Sequence, residues 1–180
     1  MEKQLAKISK YLSFILRHKP EAIGLTLDEN GWAFVDELIL KTTDLQLTEE
    51  LIKLVVETSD KQRFAIDSKK NRIRANQGHS IDIDLSLDPI KPPETLLHGT
   101  AERFYESIMH DGLTKQSRHH VHLSESPTVA KSVGSRYGKP VILEIDANRM
   151  SNDGFLFYQT LNNVWLVDTV PVKYIRARPL

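Results

Sequence analysis

Cysteine is absent from this 180-residue chain, which removes disulfides, thiolate zinc sites and cysteine nucleophiles and fits a reducing compartment. Charge of one sign is absent too: 24 Lys and Arg stand against 24 Asp and Glu, a formal net charge of zero. A basic excess draws a protein onto nucleic acid regardless of sequence, so any such binding here has to be local. No apolar run approaches the ~18 residues of a membrane span, and the opening MEKQLAKISK lacks the apolar stretch of a signal peptide. The expectation is a soluble, cytoplasmic protein with no membrane partner. Three phosphate and nucleophile strings are also missing. Without G-x-G-x-x-G, G-x-x-x-x-G-K-[ST] or G-x-S-x-G, a Rossmann site, a P-loop and a nucleophile elbow have no support.

What is present divides along the chain. Leu5, Ile8, Leu12, Ile15 and Leu16 recur at helical spacing and Pro20 follows as a stop, so residues 3–18 read as an amphipathic helix ending in Arg17-His18. Asn30-Gly31 marks a turn, FVDELILK suits a second short helix, and Thr48 with Glu49 and Glu50 caps a third running to about Thr58. Three helices thus precede any strand. Arg63-Phe-Ala-Ile and Arg72-Ile-Arg-Ala, separated by DSKKN, read as a hairpin. Helices followed by a two-stranded wing suggest a winged-helix lobe.

Residues 81–95 carry three prolines and no helical period, and the domain boundary is placed near Pro92. Beyond it TLLHG, HVHLS, PVILEID, FLFYQ, VWLV and VKYIRA are strand candidates. A helix at RFYESIMHDGL is ended by Gly112, and another opens at Ser126-Pro127 and stops near Gly134 or Gly138. The fold class is α+β, with lobes at 1–92 and 93–180.

Five of the seven histidines, His98, His110, His119, His120 and His122, fall within 25 residues. In RHHVHLS a strand period puts Arg118, His120 and His122 on one face, with Val121 and Leu123 turned to the core. His98-Gly99-Thr100 lies where a strand leads towards a helix, and its glycine permits close backbone approach to a ligand. Two strand histidines with His98 also match a zinc ligand set, although no carboxylate is near in sequence to orient them. Arg17 and His18 suit a helix C-terminus through the dipole alone, or a site if partners arrive from elsewhere. Arg63 and Arg74 open and close the hairpin, as solvated surface or as rigid guanidinium forks for phosphate oxygens.

Taken in order, LSFILRHKPE, GWAFVDELI, SDKQRF, IRANQGHS, LLHGT, RHHVHLS, VGSRYGKPVILEI and VWLVDTVPVKYI resemble the RNA 2′-phosphotransferase family from about residue 10 to 176. The resemblance implies a winged-helix RNA lobe followed by an ADP-ribosyltransferase-like lobe that binds NAD without a Rossmann fingerprint. It implies removal of an internal RNA 2′-phosphate, as at a tRNA splice junction, by transfer to NAD. The products are nicotinamide, RNA 2′-hydroxyl and ADP-ribose 1″,2″-cyclic phosphate.

The family's functional quartet falls on Arg17, His18, Arg63 and Arg118. The arginines would clamp phosphate, and His18 would move a proton to or from a ribose hydroxyl. The nicotinamide side falls on His98, Gly99 and Thr100, with His120 and His122 on the neighbouring strand, and Arg74 and His79 are weaker substrate-binding candidates. No metal and no obligate protein partner are expected, and the chain is taken as a monomer. Tyr137 stands where many relatives are expected to carry histidine, and Asn162-Asn163 replaces a more usual turn glycine. The competing readings are an ADP-ribosyltransferase that stops after the first transfer and a non-catalytic winged-helix binder. A few arginines around one phosphate need no global basic excess, so RNA affinity should lose less to salt than that of a many-phosphate binder.

Overall fold

The computed structural model describes residues 1–116 and 118–178. The chain forms two compact units, Met1–Ser86 and Leu87–Leu180. The division falls inside the proline-bearing 81–95 segment, ahead of Pro92.

In the first unit, helix α1 (Glu2–Arg17) buries the stripe Ile8, Leu12, Ile15 and Leu16. Fully removing each such side chain from water is worth roughly 1.5–3 kcal/mol, so the stripe outweighs the modest helix propensity of a segment with two β-branched isoleucines and two serines. Strand β1 (Ala33–Phe34) comes next, then helix α2 (Val35–Lys41) and helix α3 (Glu49–Thr58). The Thr48 hydroxyl caps α3 by accepting from the Leu51 amide at 3.2 Å. Strands β2 (Phe64–Asp67) and β3 (Arg72–Ala75) form the hairpin, with Phe64 opposite Ala75 and Asp67 opposite Arg72. Asp67 Oδ1 accepts from the Lys69 and Lys70 amides, and Asn71 takes a φ of 50° to close the turn.

The expectation that three helices precede any strand is corrected by β1. It pairs antiparallel with β3, giving a three-stranded sheet in the order β1-β3-β2. Two residues have no period to read, and it is the long-range pairing that makes them a strand. One core joins Ile8, Leu12 and Leu16 to Val35, Leu38, Ile52, Phe64 and Ile73. The start of the 81–95 segment is tied into this unit, where the Asp84 amide donates to the Glu29 carbonyl and Asn30 Nδ2 to Ser86 Oγ.

The second unit runs through β4 (Leu96–Ala101), α4 (Tyr105–Asp111), β5 (Leu113–Thr114), β6 (Val121–Leu123) and α5 (Pro127–Ser135). It continues through β7 (Pro140–Ile145), α6 (Ala147–Asn152), β8 (Tyr158–Gln159), β9 (Trp165–Val167), β10 (Thr169–Val170) and β11 (Ile175–Arg178). All pairings are antiparallel, in sheets β11-β7-β4 and β6-β9-β8 and a β10-β5 pair. Its core is built on Leu96, Leu143, Ile145, Phe157, Trp165 and Val167. The Ser126 hydroxyl caps α5 by accepting from the Val129 amide, with Pro127 in the first turn.

Helix α5 lies against β4 at backbone distance. A Cβ on Gly99 would stand 1.7 Å from the Ala130 carbonyl oxygen, and one on Gly134 would stand 2.4 Å from the Thr100 oxygen. The two glycines therefore let helix and strand meet without intervening side chains. No described helix is long and apolar enough to cross a membrane.

Candidate functional site

In the first unit, Arg17 is the last helical residue of α1 and His18 is its C-cap, where the helix dipole favours cations. A segment that follows β3, Asn76-Gln77-Gly78-His79-Ser80, meets both residues. The Ser80 amide donates to the Arg17 carbonyl at 2.9 Å, and Ser80 Oγ lies 2.9 Å from His18 Nδ1. Gly78 takes a φ of 86°, and its missing side chain faces the Arg17 guanidinium at ordinary van der Waals distance.

The same segment holds Arg63. The Asn76 amide donates to the Arg63 carbonyl at 2.9 Å, and Asn76 Nδ2 donates to the Gln62 carbonyl at 2.6 Å. The Arg63 amide donates to Ser59 Oγ at 3.3 Å, so both backbone ends of Arg63 are fixed. Its guanidinium lies 3.9 Å from the exposed Asp60 carboxylate, a pair worth little in water. Three of the four residues in the expected quartet are thus anchored to one five-residue stretch.

The two weaker candidates sit deeper. His79 is 3 % exposed, and its Nε2 lies beside Gly31. The Arg74 guanidinium rests on the Trp32 ring at 4.7 Å from the centroid, with Arg72 on the same ring at 4.9 Å. Burial pushes the Arg74 pKa down while Asp28 opposes the shift, and the group still carries its charge at neutral pH.

In the second unit, His98 and Thr100 lie on β4, and Thr100 is buried. His98 Nδ1 is 2.9 Å from the His122 carbonyl oxygen. A carbonyl only accepts, so Nδ1 carries the proton and Nε2 is the acceptor in the neutral ring. Burial pushes the His98 pKa below the ordinary histidine range, and the bond to His122 opposes this. Arg118 Nη1 lies 3.0 Å from His122 Nδ1. Arginine only donates, so here Nδ1 is the acceptor and the neutral His122 ring holds its proton on Nε2. Arg118 and His98 therefore both bond to His122, one to its ring and the other to its backbone carbonyl.

His120 packs its ring 5.6 Å from Tyr158, and desolvation, then the neighbouring His119, pushes its pKa down. The expected strand over RHHVHLS is shorter than its alternation implies. It begins at Val121, with Arg118, His119 and His120 in a bend, while Val121 and Leu123 are buried as expected. The close approach that Gly99 allows is to helix α5. Among the described residues, no group of three or more histidines and carboxylates could hold a metal ion.

The sequence reading passed over Asn76 and Ser80, although they share a string with Arg74 and His79. The available signal was a run of small and polar residues with a glycine between the hairpin and the prolines. It also missed Tyr158 beside His120.

Comparison with known proteins identifies the family. Residues 3–169 match the family described as RNA 2'-phosphotransferase, Tpt1 / KptA family. The chain belongs to that family. A probable RNA 2'-phosphotransferase of Flavobacterium johnsoniae is 54% identical over 181 residues, covering 99% of this chain and 100% of the relative. One from Acaryochloris marina is 53% identical over 176 residues, and one from Nostoc punctiforme 50% over 177, each covering 97% of this chain. As an RNA 2'-phosphotransferase family member, the chain is placed among transferases that act on an RNA 2′-phosphate. For that chemistry the first unit offers two arginines whose backbone carbonyls, and an imidazole whose ring, are bonded to one segment.

Proposed function

We propose that the chain removes an internal RNA 2′-phosphate by transferring it to NAD, acting as a cytoplasmic monomer without a metal ion. The first unit is read as a winged-helix lobe that takes the RNA, and the second as an ADP-ribosyltransferase-like lobe that takes NAD. The observation that carries this reading is the anchoring of Arg17, His18 and Arg63 to Asn76–Ser80. A phosphate ester needs donors held in place before charge develops, since fixed donors require no reorganisation during the reaction.

The donor set of the second unit fits NAD. His98 donates through Nδ1 to the His122 carbonyl, His122 Nδ1 accepts from Arg118, Thr100 supplies a buried hydroxyl on the same strand as His98, and Arg118 supplies a cation. His98, Gly99, Thr100, His120 and His122 are assigned to hold it. NAD brings a glycosidic bond whose leaving group departs neutral.

In the first step a 2′-phosphate oxygen bonds to the ribose carbon as the bond to nicotinamide breaks, its electron pair leaving with nicotinamide. Neutral imidazoles suit this step, because a protonated ring would repel the cationic ribose that develops. In the second step the ribose 2″-oxygen bonds to phosphorus, its proton is taken up, and the bond to the RNA 2′-oxygen breaks and that oxygen is protonated. His18 is assigned the proton transfer, since guanidinium is a poor proton carrier. Arg17, Arg63 and Arg118 are assigned to the charge on the non-bridging oxygens. The burial of His79 and the stacking of Arg74 on Trp32 favour support of this unit over substrate contact.

The test is incubation of the pure protein with a 2′-phosphorylated oligonucleotide and NAD. ADP-ribose 1″,2″-cyclic phosphate and nicotinamide are the expected products. Inorganic phosphate released without NAD, or no product at all, would overturn the reading.

A further inference from the structure

Ser80 is solvent-exposed, yet it makes two hydrogen bonds to the end of α1, one from its backbone and one from its side chain. The backbone bond, from the Ser80 amide to the Arg17 carbonyl, fixes where the segment sits. The side-chain bond, Oγ to His18 Nδ1 at 2.9 Å, adds little to the fold, because an exposed neutral pair is worth about 1 kcal/mol or less. What it does control is the imidazole. A ring bonded through Nδ1 cannot rotate about its Cβ–Cγ bond without losing the partner, and its other nitrogen is aimed in one direction.

We propose that Ser80 is a positioning residue for the second step, accepting the His18 Nδ1 proton so that Nε2 is the nitrogen that takes the proton from the ribose 2″-hydroxyl. The inference rests on the role assigned to His18 above. A serine hydroxyl can donate or accept, so the distance alone fits two tautomers. The assigned chemistry selects between them. If Oγ–H donated to Nδ1, the neutral ring would carry its proton on Nε2, which would then have no lone pair with which to take another. With Nδ1–H donating to Oγ, Nε2 has the lone pair that a general base needs. As the proton arrives at Nε2, the ring becomes a cation, and a bond from a charged donor to Oγ is stronger than one from a neutral donor. The serine thus favours the protonated ring at the moment it forms. Because the Arg17 carbonyl is held by the Ser80 backbone, loss of the hydroxyl leaves the segment in place.

The experiment pairs a ring measurement with single-turnover kinetics. Nitrogen-15 shifts of ring-labelled histidine, with the His18 signal assigned by its loss in His18→Gln, report which nitrogen bears the proton in the neutral ring. Nδ1–H is expected in the unaltered protein, shifting towards Nε2–H in Ser80→Ala. A neutral His18 with its proton on Nε2 in the unaltered protein overturns the proposal whatever the kinetics. With NAD and 2′-phosphorylated oligonucleotide, Ser80→Ala is expected to slow the second step on the order of 10-fold, part of the ~100-fold or more a general base supplies. The rate of nicotinamide release and the KM for NAD stay unchanged, and Ser80→Thr restores the second step. Second-step rates in Ser80→Ala equal to the unaltered protein's, with His18→Ala stalled, would overturn the positioning role alone. Full activity of His18→Ala would sink the role of His18 and this inference with it.

Discussion

Asn76 Nδ2 donates to the Gln62 carbonyl at 2.6 Å, across the base of the hairpin and next to Arg63. Gln62 has a φ of 43°, a left-handed backbone that costs a non-glycine residue about 1–2 kcal/mol. The buried carboxamide holds that backbone in place and so sets the direction in which Arg63 leaves the chain. Asn76→Ala is expected to destabilise the protein by about 0.5–1.5 kcal/mol, the net worth of the bond to the Gln62 carbonyl. Gln62→Gly should raise stability by about 1 kcal/mol. Urea unfolding followed by circular dichroism reads both.

Gly99 gives the sharpest packing prediction. A methyl group there would meet the Ala130 carbonyl oxygen at 1.7 Å, and the contact is with backbone that has no rotamer to change. Gly99→Ala is expected to cost 3 kcal/mol or more, at or beyond the ~1–3 kcal/mol usual for overpacking. A melting temperature within a degree or two of the unaltered protein's would show that α5 slides freely on β4.

The pH dependence follows from His98 and His120, both held below the ordinary histidine pKa of ~6.5, chiefly by burial. The unfolded chain then binds protons that the native state refuses. Stability from these two groups is therefore fully present above about pH 6.5 and is lost as the pH falls below it. Urea midpoints measured from pH 8 to pH 5 should decline through that range. In His98→Gln the decline should be shallower; a profile identical to the unaltered protein's would remove His98 as a source.

Arg118 is exposed, so its removal should barely change the fold, within about 0.5 kcal/mol. Arg118→Ala is expected to lower product formation on the order of 100-fold, as for loss of one fixed donor to a charged transition state. Lysine should not restore it, because a point charge lacks the fork that bonds His122 and leaves further donors for the phosphate role proposed above. Product assays beside thermal melts separate the two effects.

Much of this architecture is written in local chemistry. The stripe Ile8, Leu12, Ile15 and Leu16, the Thr48 cap and the Ser126-Pro127 start each carry their own physical cause, and each element stands where that cause puts it. The elements left unread are those made by pairing. Strand β1 exists through β3, and β5 through β10, each with two residues and no period. Helix α6 is six residues long, held by the Asp146 carboxylate accepting from the Arg149 amide, and too short to show a stripe.

The candidate site divides the same way. Arg17, His18, Arg63 and Arg118 stood out as residue types and through resemblance, but their partners did not. Ser80 lies 62 positions from His18, and no periodicity records such a contact. Arg118 and His122 were expected to share a strand face. They meet instead because a long guanidinium reaches out of a bend that precedes the strand.

The attachment of Arg17, His18 and Arg63 to one short stretch makes their failure collective. A local opening of residues 76–80 would release all three together, without disturbing the Ile8, Leu12 and Ile73 core. Competence on the first unit is then all-or-none and can vanish at a temperature where circular dichroism still reports a folded protein. Hydrogen exchange at the Asn76 and Ser80 amides, both tied to backbone carbonyls of these residues, would time that opening directly.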